Sequence, residues 1–275
     1  MKRSRRASVA LFLTALAVGG FSVLPFFWML STSLKPEEDI VRRVPVLWPS
    51  DPTLERYGRV LEVGFQRALG NSALVALGTT AAAVVLAAAA GYALARFDLP
   101  LRRYLLVLVM SAQMFPIVAL IIPMFVVLRS TGLLDSRLGL VVAYLSFTCP
   151  LAIWILKSVF ATIPPELEEA AMIDGATRMG AMRRVILPLA GPGLAACAIF
   201  SFIAAWNEFL LALTFVKDEK MATMPVALQG FIGGFQADWG MIMAASFLFT
   251  IPVVAFFLLL HRRLVQGMVT GAIQG

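Results

Sequence analysis

Charge is scarce in this sequence. Of its 275 residues, 14% are Asp, Glu, Lys or Arg, against about 25% in a soluble domain. That shortage excludes an ordinary cytosolic enzyme, a disordered chain and a fibrous repeat. Cysteine and histidine are nearly missing, with two and one respectively. Cys149 and Cys197 each sit inside an apolar run. They read as small core-fillers, not as a disulfide or metal ligands. His261 stands beside Arg262 and Arg263 at the edge of an apolar run, and reads as an interface residue. The sequence contains no G-x-x-x-x-G-K-[ST], no G-x-S-x-G, no H-E-x-x-H and no C-x-x-C. Nothing in it therefore signals phosphate cradling, a serine nucleophile or a metal site. No catalytic residue, cofactor or metal is expected in this chain.

Apolar residues are what the chain does contain. They make up 60% of it, and the mean hydropathy is +0.87. About 20 apolar residues in a helix cross a bilayer core. Six runs meet that length: 9–30, 68–95, 104–128, 138–156, 185–216 and 239–260. Only the fifth holds a charge, Glu208. The runs are continuous, whereas barrel strands would alternate. The expected fold class is all-α, a polytopic membrane protein with six transmembrane helices. The first run is too long for a signal peptide and lacks a small-residue cleavage site, so it is expected to be retained.

The basic residues set the orientation. With the N-terminus inside, thirteen of the 23 Lys and Arg fall on the cytoplasmic side against five acids. The net charge of +7 is then a topology signal, not a nucleic-acid footprint. Both termini are expected in the cytoplasm. The expected layout is a cytoplasmic N-terminus over 1–8, a transmembrane domain over 9–263 with a cytoplasmic loop at 161–191, and a tail over 264–275.

The loops carry the information. The outer stretch 35–69 has Pro36, Pro45, Pro49 and Pro52, then an amphipathic segment from Leu54 to Leu61. It reads as a surface cap or as a docking surface. In the cytoplasmic loop, Pro164-Pro165 can end one helix and begin another. Glu166, Glu168 and Glu169 then fall in a first turn, where the helix dipole favours acids. Ala170 and Ala171 leave one face almost bare. Asp174-Gly175 fits a left-handed helix stop. A second short helix is expected over about 177–187, carrying Arg183 and Arg184, with Pro188 breaking it. A helix-turn-helix of this build suits a groove in another protein, or an interfacial connector.

Here a resemblance becomes specific. Glu169-Ala170-Ala171, three residues, Gly175, nine residues, then Val185-Ile186-Leu187-Pro188 resembles the E-A-A-x₃-G-x₉-I-x-L-P loop of ABC importer permeases, with valine at one isoleucine position. Asn71-Ser72, Trp206-Asn207-Glu208 and the tail from Arg263 to Gly275 are similar to the MalG-type permeases of carbohydrate importers. Gln274 departs, since members usually carry a basic residue there. The resemblance implies the type I importer permease fold in a bacterial cytoplasmic (inner) membrane. It also implies a MalF-type permease partner, two copies of a MalK-type ATPase that uses ATP and Mg, and an extracytoplasmic sugar-binding protein. No nucleic-acid partner is expected; the lipid bilayer is. Glu168, Glu169, Ala170, Ala171, Asp174, Gly175, Leu187 and Pro188 would then couple to the ATPase. Gly271, Ala272 and Gly275 would lie at the ATPase interface. The cargo implied is an oligosaccharide, or a disaccharide of the maltose or trehalose type.

Four pathway candidates remain open between two readings. Glu208 costs about 2.5–3.5 kcal/mol at a bilayer centre, so it lines a pathway or bonds another helix, with Asn207 helping. Trp206 could stack on a sugar or simply pack. Gln113, near Pro116 and Pro123, is expected at a bend. Outside, Gln229, Gly230, Phe231, Gly233, Gly234 and Phe235 form a mobile connector or, by the resemblance, a finger into the binding protein. Two alternatives stand: a permease of the same superfamily for glycerol-phosphate or a polyol, and a stand-alone secondary transporter. The latter would show inverted repeats, and none is evident. An intramembrane enzyme would need paired catalytic groups, and only Glu208 is present.

Overall fold

A computed structural model of the chain describes residues 5–231 and 238–272, with side chains over 8–231 and 238–264. No strand occurs among the described residues. The helices are α1 Arg5–Ser33, α2 Glu37–Ile40, α3 Glu55–Glu62, α4 Phe65–Arg96, α5 Arg102–Ser111, α6 Ile117–Ser130, α7 Arg137–Thr162, α8 Glu166–Ile173, α9 Arg178–Ala181, α10 Leu187–Leu189, α11 Gly191–Trp206, α12 Leu210–Phe215, α13 Met224–Gly230 and α14 Trp239–Ala272.

Four stretches are long and apolar enough to cross a membrane unbroken: Ser8–Ser33, Phe65–Arg96, Arg137–Thr162 and Trp239–Leu264. The third and fifth apolar runs are bent, the third where Gln113 and Pro116 were expected to mark a bend. Arg102–Met114 meets Ile117–Ser130 at 100°, and Arg178–Leu189 meets Gly191–Trp206 at 76°. Counting each bent pair as one span restores six. The first bend has a local cause. Pro116 cannot donate a backbone hydrogen bond, and Phe115 before it is extended (φ −76°, ψ 129°), as a pre-proline residue prefers. Gln113 reinforces it: its Nε2 donates to the Phe147 carbonyl at 2.7 Å.

The second bend falls at Ala190 (φ −77°, ψ 3°), two residues beyond the expected break at Pro188. Pro188 lies inside helical backbone at the start of α10. Its missing N–H is accommodated by a wide π-type turn over Met182–Ile186 just before it, one of the known responses of a helix to a lost rung.

The chain forms two compact units, one of Met1–Gln66 with Ala227–Ile251 and one of Arg67–Val226 with Pro252–Gly275. In the first unit, α3 is tied to the end of α1. Arg56 donates to the Lys35 carbonyl and lies 3.9 Å from Asp238. The Tyr57 and Ser33 hydroxyls are 2.6 Å apart. Lys35 is buried with its ammonium 4.0 Å over the Trp28 ring. Burial pushes that ammonium below its usual range, with Asp39 opposing the shift.

The second unit has a core shared by α4, α7, the π-type turn and α11. Ala87, Ala88 and Tyr92 pack with Ala152, Leu156, Phe160, Met182, Ile186 and Cys197. Small residues permit this closeness in a membrane helix pair. Gly91 is pressed against the α7 backbone, and Gly193 against Val159. At the other end of α4, Asn71 Nδ2 donates to the Lys220 and Ala222 carbonyls, both at 2.9 Å. Its Oδ1 accepts from Arg137 Nε at 2.9 Å, and Ser72 Oγ accepts from Met224 N at 2.8 Å. Asn71-Ser72 therefore clamps the segment between α12 and α13 onto α4.

Candidate functional site

The loop expected on the cytoplasmic side folds into a hairpin of α8 and α9. The motif residues that it brings together are Glu168, Glu169, Ala170, Ala171, Asp174 and Gly175. Pro165 stands at the N-cap of α8, and the three glutamates occupy its first turn. The helix stops at Gly175, whose φ is +89°. Gly175 N donates to the Met172 carbonyl and Ala176 N to the Ala171 carbonyl, each at 3.0 Å. This pair of bonds is the Schellman stop. Thr177 then caps α9, its Oγ1 accepting from Gly180 N at 3.1 Å.

The glutamates look alike in the sequence but do different work. Glu168 is 3% exposed. Its Oε2 lies 3.2 Å from Arg96 Nε and its Oε1 lies 3.9 Å from Arg178. Oε1 also accepts from the Tyr92 hydroxyl. Arg96 in turn donates to the Ile163 carbonyl at 2.8 Å. Tyr92 and Arg96 are four residues apart on α4, so they share one face. Tyr92 is fixed edge-on against Phe160, with ring centroids 6.0 Å apart. The hairpin is thus bolted to the end of α4 through a buried carboxylate. A buried charge of this kind is held only when paired and hydrogen-bonded.

The opposite face of α8 is open. Glu166, Glu169 and Ala170 are exposed, and Ile173 is 85% exposed. Across the turn, Met179 is exposed as well. This face combines acids at a helix N-terminus, an almost bare alanine and an unburied isoleucine. It has the anatomy of a contact surface. Leu187 and Pro188 lie apart from it, at the start of α10, where Leu187 packs on the core and Pro188 is exposed. Tyr92, Arg96 and Arg178 were not singled out from the sequence. The only signal for them was a tyrosine and an arginine one turn apart at the end of an apolar run.

The other candidates are placed as follows. Glu208 does not sit in a continuous membrane helix, because α11 ends at Trp206. Its carboxylate caps α12, accepting from Leu211 N at 2.8 Å and Ala212 N at 3.1 Å. The carboxylate thus serves as a local helix cap, and it also faces the buried Tyr144 of α7, a partner on another helix. Asn207 is exposed and donates to the Ile203 carbonyl at 2.8 Å, so it bonds its own helix. Trp206 is 1% exposed and stacks on Phe202 at 5.4 Å. That leaves no open ring face for a sugar.

In the loop expected outside, Gln229 and Gly230 are the exposed end of α13. Phe231 is half-buried and packs on Phe65. Gly233, Gly234 and Phe235 lie outside the described residues. At the C-terminus, α14 continues unbroken to Ala272, so the tail begins as helix and includes Gly271. Gly275 lies outside the described residues.

Comparison with known proteins decides the family. Residues 83–270 match the sequence profile of the binding-protein-dependent transport system inner membrane component. The chain belongs to that family. Among its relatives, the trehalose transport system permease protein SugB of Mycobacterium tuberculosis is 42% identical, over 99% of each chain. The diacetylchitobiose uptake system permease protein DasC of Streptomyces coelicolor is 39% identical over the full length of both. The trehalose/maltose transport system permease protein MalG of Thermococcus litoralis is 35% identical over 97% of each.

The fold is similar to a chain of a bacterial ABC transporter involved in importing the acidic polysaccharide alginate. The TM-score is 0.79 at 23% identity, covering 95% of this chain and 99% of that one. The fold is therefore the type I importer permease fold. As an inner membrane component of this family, the protein is a multi-pass transport subunit and not an enzyme. Such a component works with a second permease, a separate ATPase and a binding protein.

Proposed function

We propose that this chain is the MalG-type subunit of an ATP-driven sugar importer. It forms half of the translocation pathway, beside a MalF-type permease and above two copies of a MalK-type ATPase. The carrying observation is the hairpin. It is anchored to the membrane core through Glu168, stopped at Gly175, and leaves Glu169, Ala170 and Ile173 exposed. A rigid handle with one bare face transmits a push from a docked ATPase into α4. A connector loop would need neither a buried ion pair nor a fixed turn. The chain holds no nucleotide signature of its own, so ATP and Mg belong to the ATPase.

A sugar cargo is supported by the relatives, whose names specify trehalose, diacetylchitobiose and maltose. A disaccharide or short oligosaccharide fits all three. The exposed Gln113 and Asn207, with the half-buried Glu208, are the pathway candidates. Gly271, Ala272 and Gly275 are assigned to the ATPase side, and 229–235 to the binding-protein side.

Co-purification with the ATPase, followed by sugar-stimulated ATP hydrolysis with the binding protein present, tests the reading. Gly175→Val forces a β-branched residue into φ +89°, where the left-handed conformation costs about 1–2 kcal/mol. Glu169→Lys puts a cation at the exposed N-terminal turn of α8. Both are expected to lower transport and the ATPase response at least severalfold while the chain still inserts. Normal transport in both would reduce the hairpin to a connector.

Topology is checked separately. In a cysteine-free background, Thr177→Cys and Ser50→Cys are expected to label from opposite sides of the membrane. Labelling from one side would end the reading with both termini in the cytoplasm.

A further inference from the structure

The hairpin and α4 frame a groove beside the Glu168 anchor. It is a cavity of about 640 Å³. Its walls are apolar, with Val85, Ala89, Phe97, Met179, Met182 and Leu187 among them, and Arg178 and Arg183 line it as well. We infer that this groove holds the acyl chain of an anionic phospholipid, with its phosphate at the two arginines.

Three observations carry the inference. The first is length. On α4 the groove runs from Val85 to the level of Arg96, where the membrane span ends. At about 1.5 Å per residue that is about 16 Å, close to half of a ~30 Å hydrocarbon core. The groove is therefore one leaflet deep.

The second is polarity. The wall is apolar apart from Arg178 and Arg183, and Arg178 lies at the Phe97 end, which meets the headgroup layer. The third is charge. Arg96 and Arg178 share one acid, Glu168, and Arg183 is exposed with no salt bridge among the described residues. The Arg178 guanidinium is held over the Phe97 ring, 5.1 Å from its centroid, which aims a cation at the groove mouth. One acid among three arginines leaves an excess that a phosphodiester satisfies. Basic pockets between membrane helices recognise anionic headgroups in this way. A soluble anion could use the arginines but would leave the apolar wall uncovered. The inference needs only that the chain is embedded as an inner membrane component, and is independent of the cargo.

The test uses the assembled transporter in nanodiscs of equal phosphatidylglycerol and phosphatidylcholine with matched acyl chains. After mild detergent extraction, native mass spectrometry weighs the retained lipid. Phosphatidylglycerol is expected in clear excess. Arg183→Gln, an exposed change that spares the Glu168 network, should lower its retention about fivefold, the equivalent of about 1 kcal/mol per basic residue near the surface. Ala89→Trp, which fills the groove from an exposed position, should remove it.

Equal retention of the two lipids overturns the inference, as does unchanged retention in Ala89→Trp. If glycerol phosphate in solution displaces the bound lipid at millimolar concentration, the site is a soluble-anion site and the inference falls. If Ala89→Trp instead releases the second permease and leaves lipid retention alone, the groove is a subunit seam.

Discussion

Glu168→Ala is expected to abolish coupled transport while leaving the chain inserted in the membrane. The substitution removes the carboxylate that faces Arg96 at 3.2 Å, in a pair whose side chains are 8% and 4% exposed. Breaking a buried pair by deleting one partner costs about 3–5 kcal/mol, because the remaining charge is stranded. The Tyr92 hydroxyl loses its acceptor at the same time, a further buried polar group left unmet. The membrane helices keep their own backbone bonds, so insertion survives. The hairpin does not keep its anchor. Limited proteolysis from the cytoplasmic side should cut between α8 and α9 in the variant and not in the parent. ATP hydrolysis should stop responding to the loaded binding protein. Glu168→Gln retains an acceptor for Tyr92 but no charge for Arg96, so it should fall between the two. Glu169→Ala, at an exposed position, should leave the hairpin protease-resistant, because an exposed charge contributes little to stability. A Glu168→Ala protein with a resistant hairpin and full coupling would show that the anchor is elsewhere.

The division among the three glutamates marks the limit of what the sequence could reveal. The hairpin itself was legible. Paired prolines, acids in a first turn and Asp-Gly at the stop are local signals, and the φ of +89° at Gly175 follows from them. Which glutamate points inward depends on a helix 76 residues away, and no local pattern encodes that. The bends were legible only in part, for a different reason. Hydropathy averages over a run, and proline alone does not mark a break. Pro25, Pro123, Pro150 and Pro252 all lie inside continuous helices. Pro116 differs because Phe115 is extended and Gln113 ties the turn to α7. The break at Trp206 is likewise invisible to hydropathy, so the capping of α12 by Glu208 is seen only in the structure. Asn71 and Ser72 drew notice only through the resemblance. Their clamp on the segment ahead of α13 joins residues about 150 apart in the chain.

Gly91→Leu should sharply reduce assembly of the second unit. A Cβ at Gly91 would stand 2.8 Å from Lys157 N, 3.2 Å from the Leu156 carbonyl carbon and 3.3 Å from the Ile153 carbonyl oxygen. All three are backbone atoms of α7. A flexible side chain could turn aside, as Val159 can beside Gly193, but a helix backbone yields only by moving as a body. The seam that must open contains Ala87, Ala88 and Tyr92 against Ala152, Leu156 and Phe160. Overpacking a filled core costs about 1–3 kcal/mol for extra methylenes, and a leucine here adds a whole side chain against backbone. Folded, assembled transporter should drop at least tenfold, which corresponds to ~1.4 kcal/mol. Gly91→Ala isolates the Cβ and should lower the melting temperature in detergent. Gly70→Ala is the control on the same helix. Its Cβ would meet nothing within 4 Å, and alanine is the better helix former by roughly 0.5–1 kcal/mol, so its melting temperature should hold or rise. If the two alanine variants melt alike, the close approach of α4 and α7 does not govern stability. The seam also has a functional consequence. Tyr92 is the next residue along α4 and Arg96 follows one turn later, so any shift of α4 away from α7 moves both partners of Glu168. Gly91→Ala protein that survives purification should therefore show weakened coupling as well as lower stability, and Gly70→Ala protein should show neither.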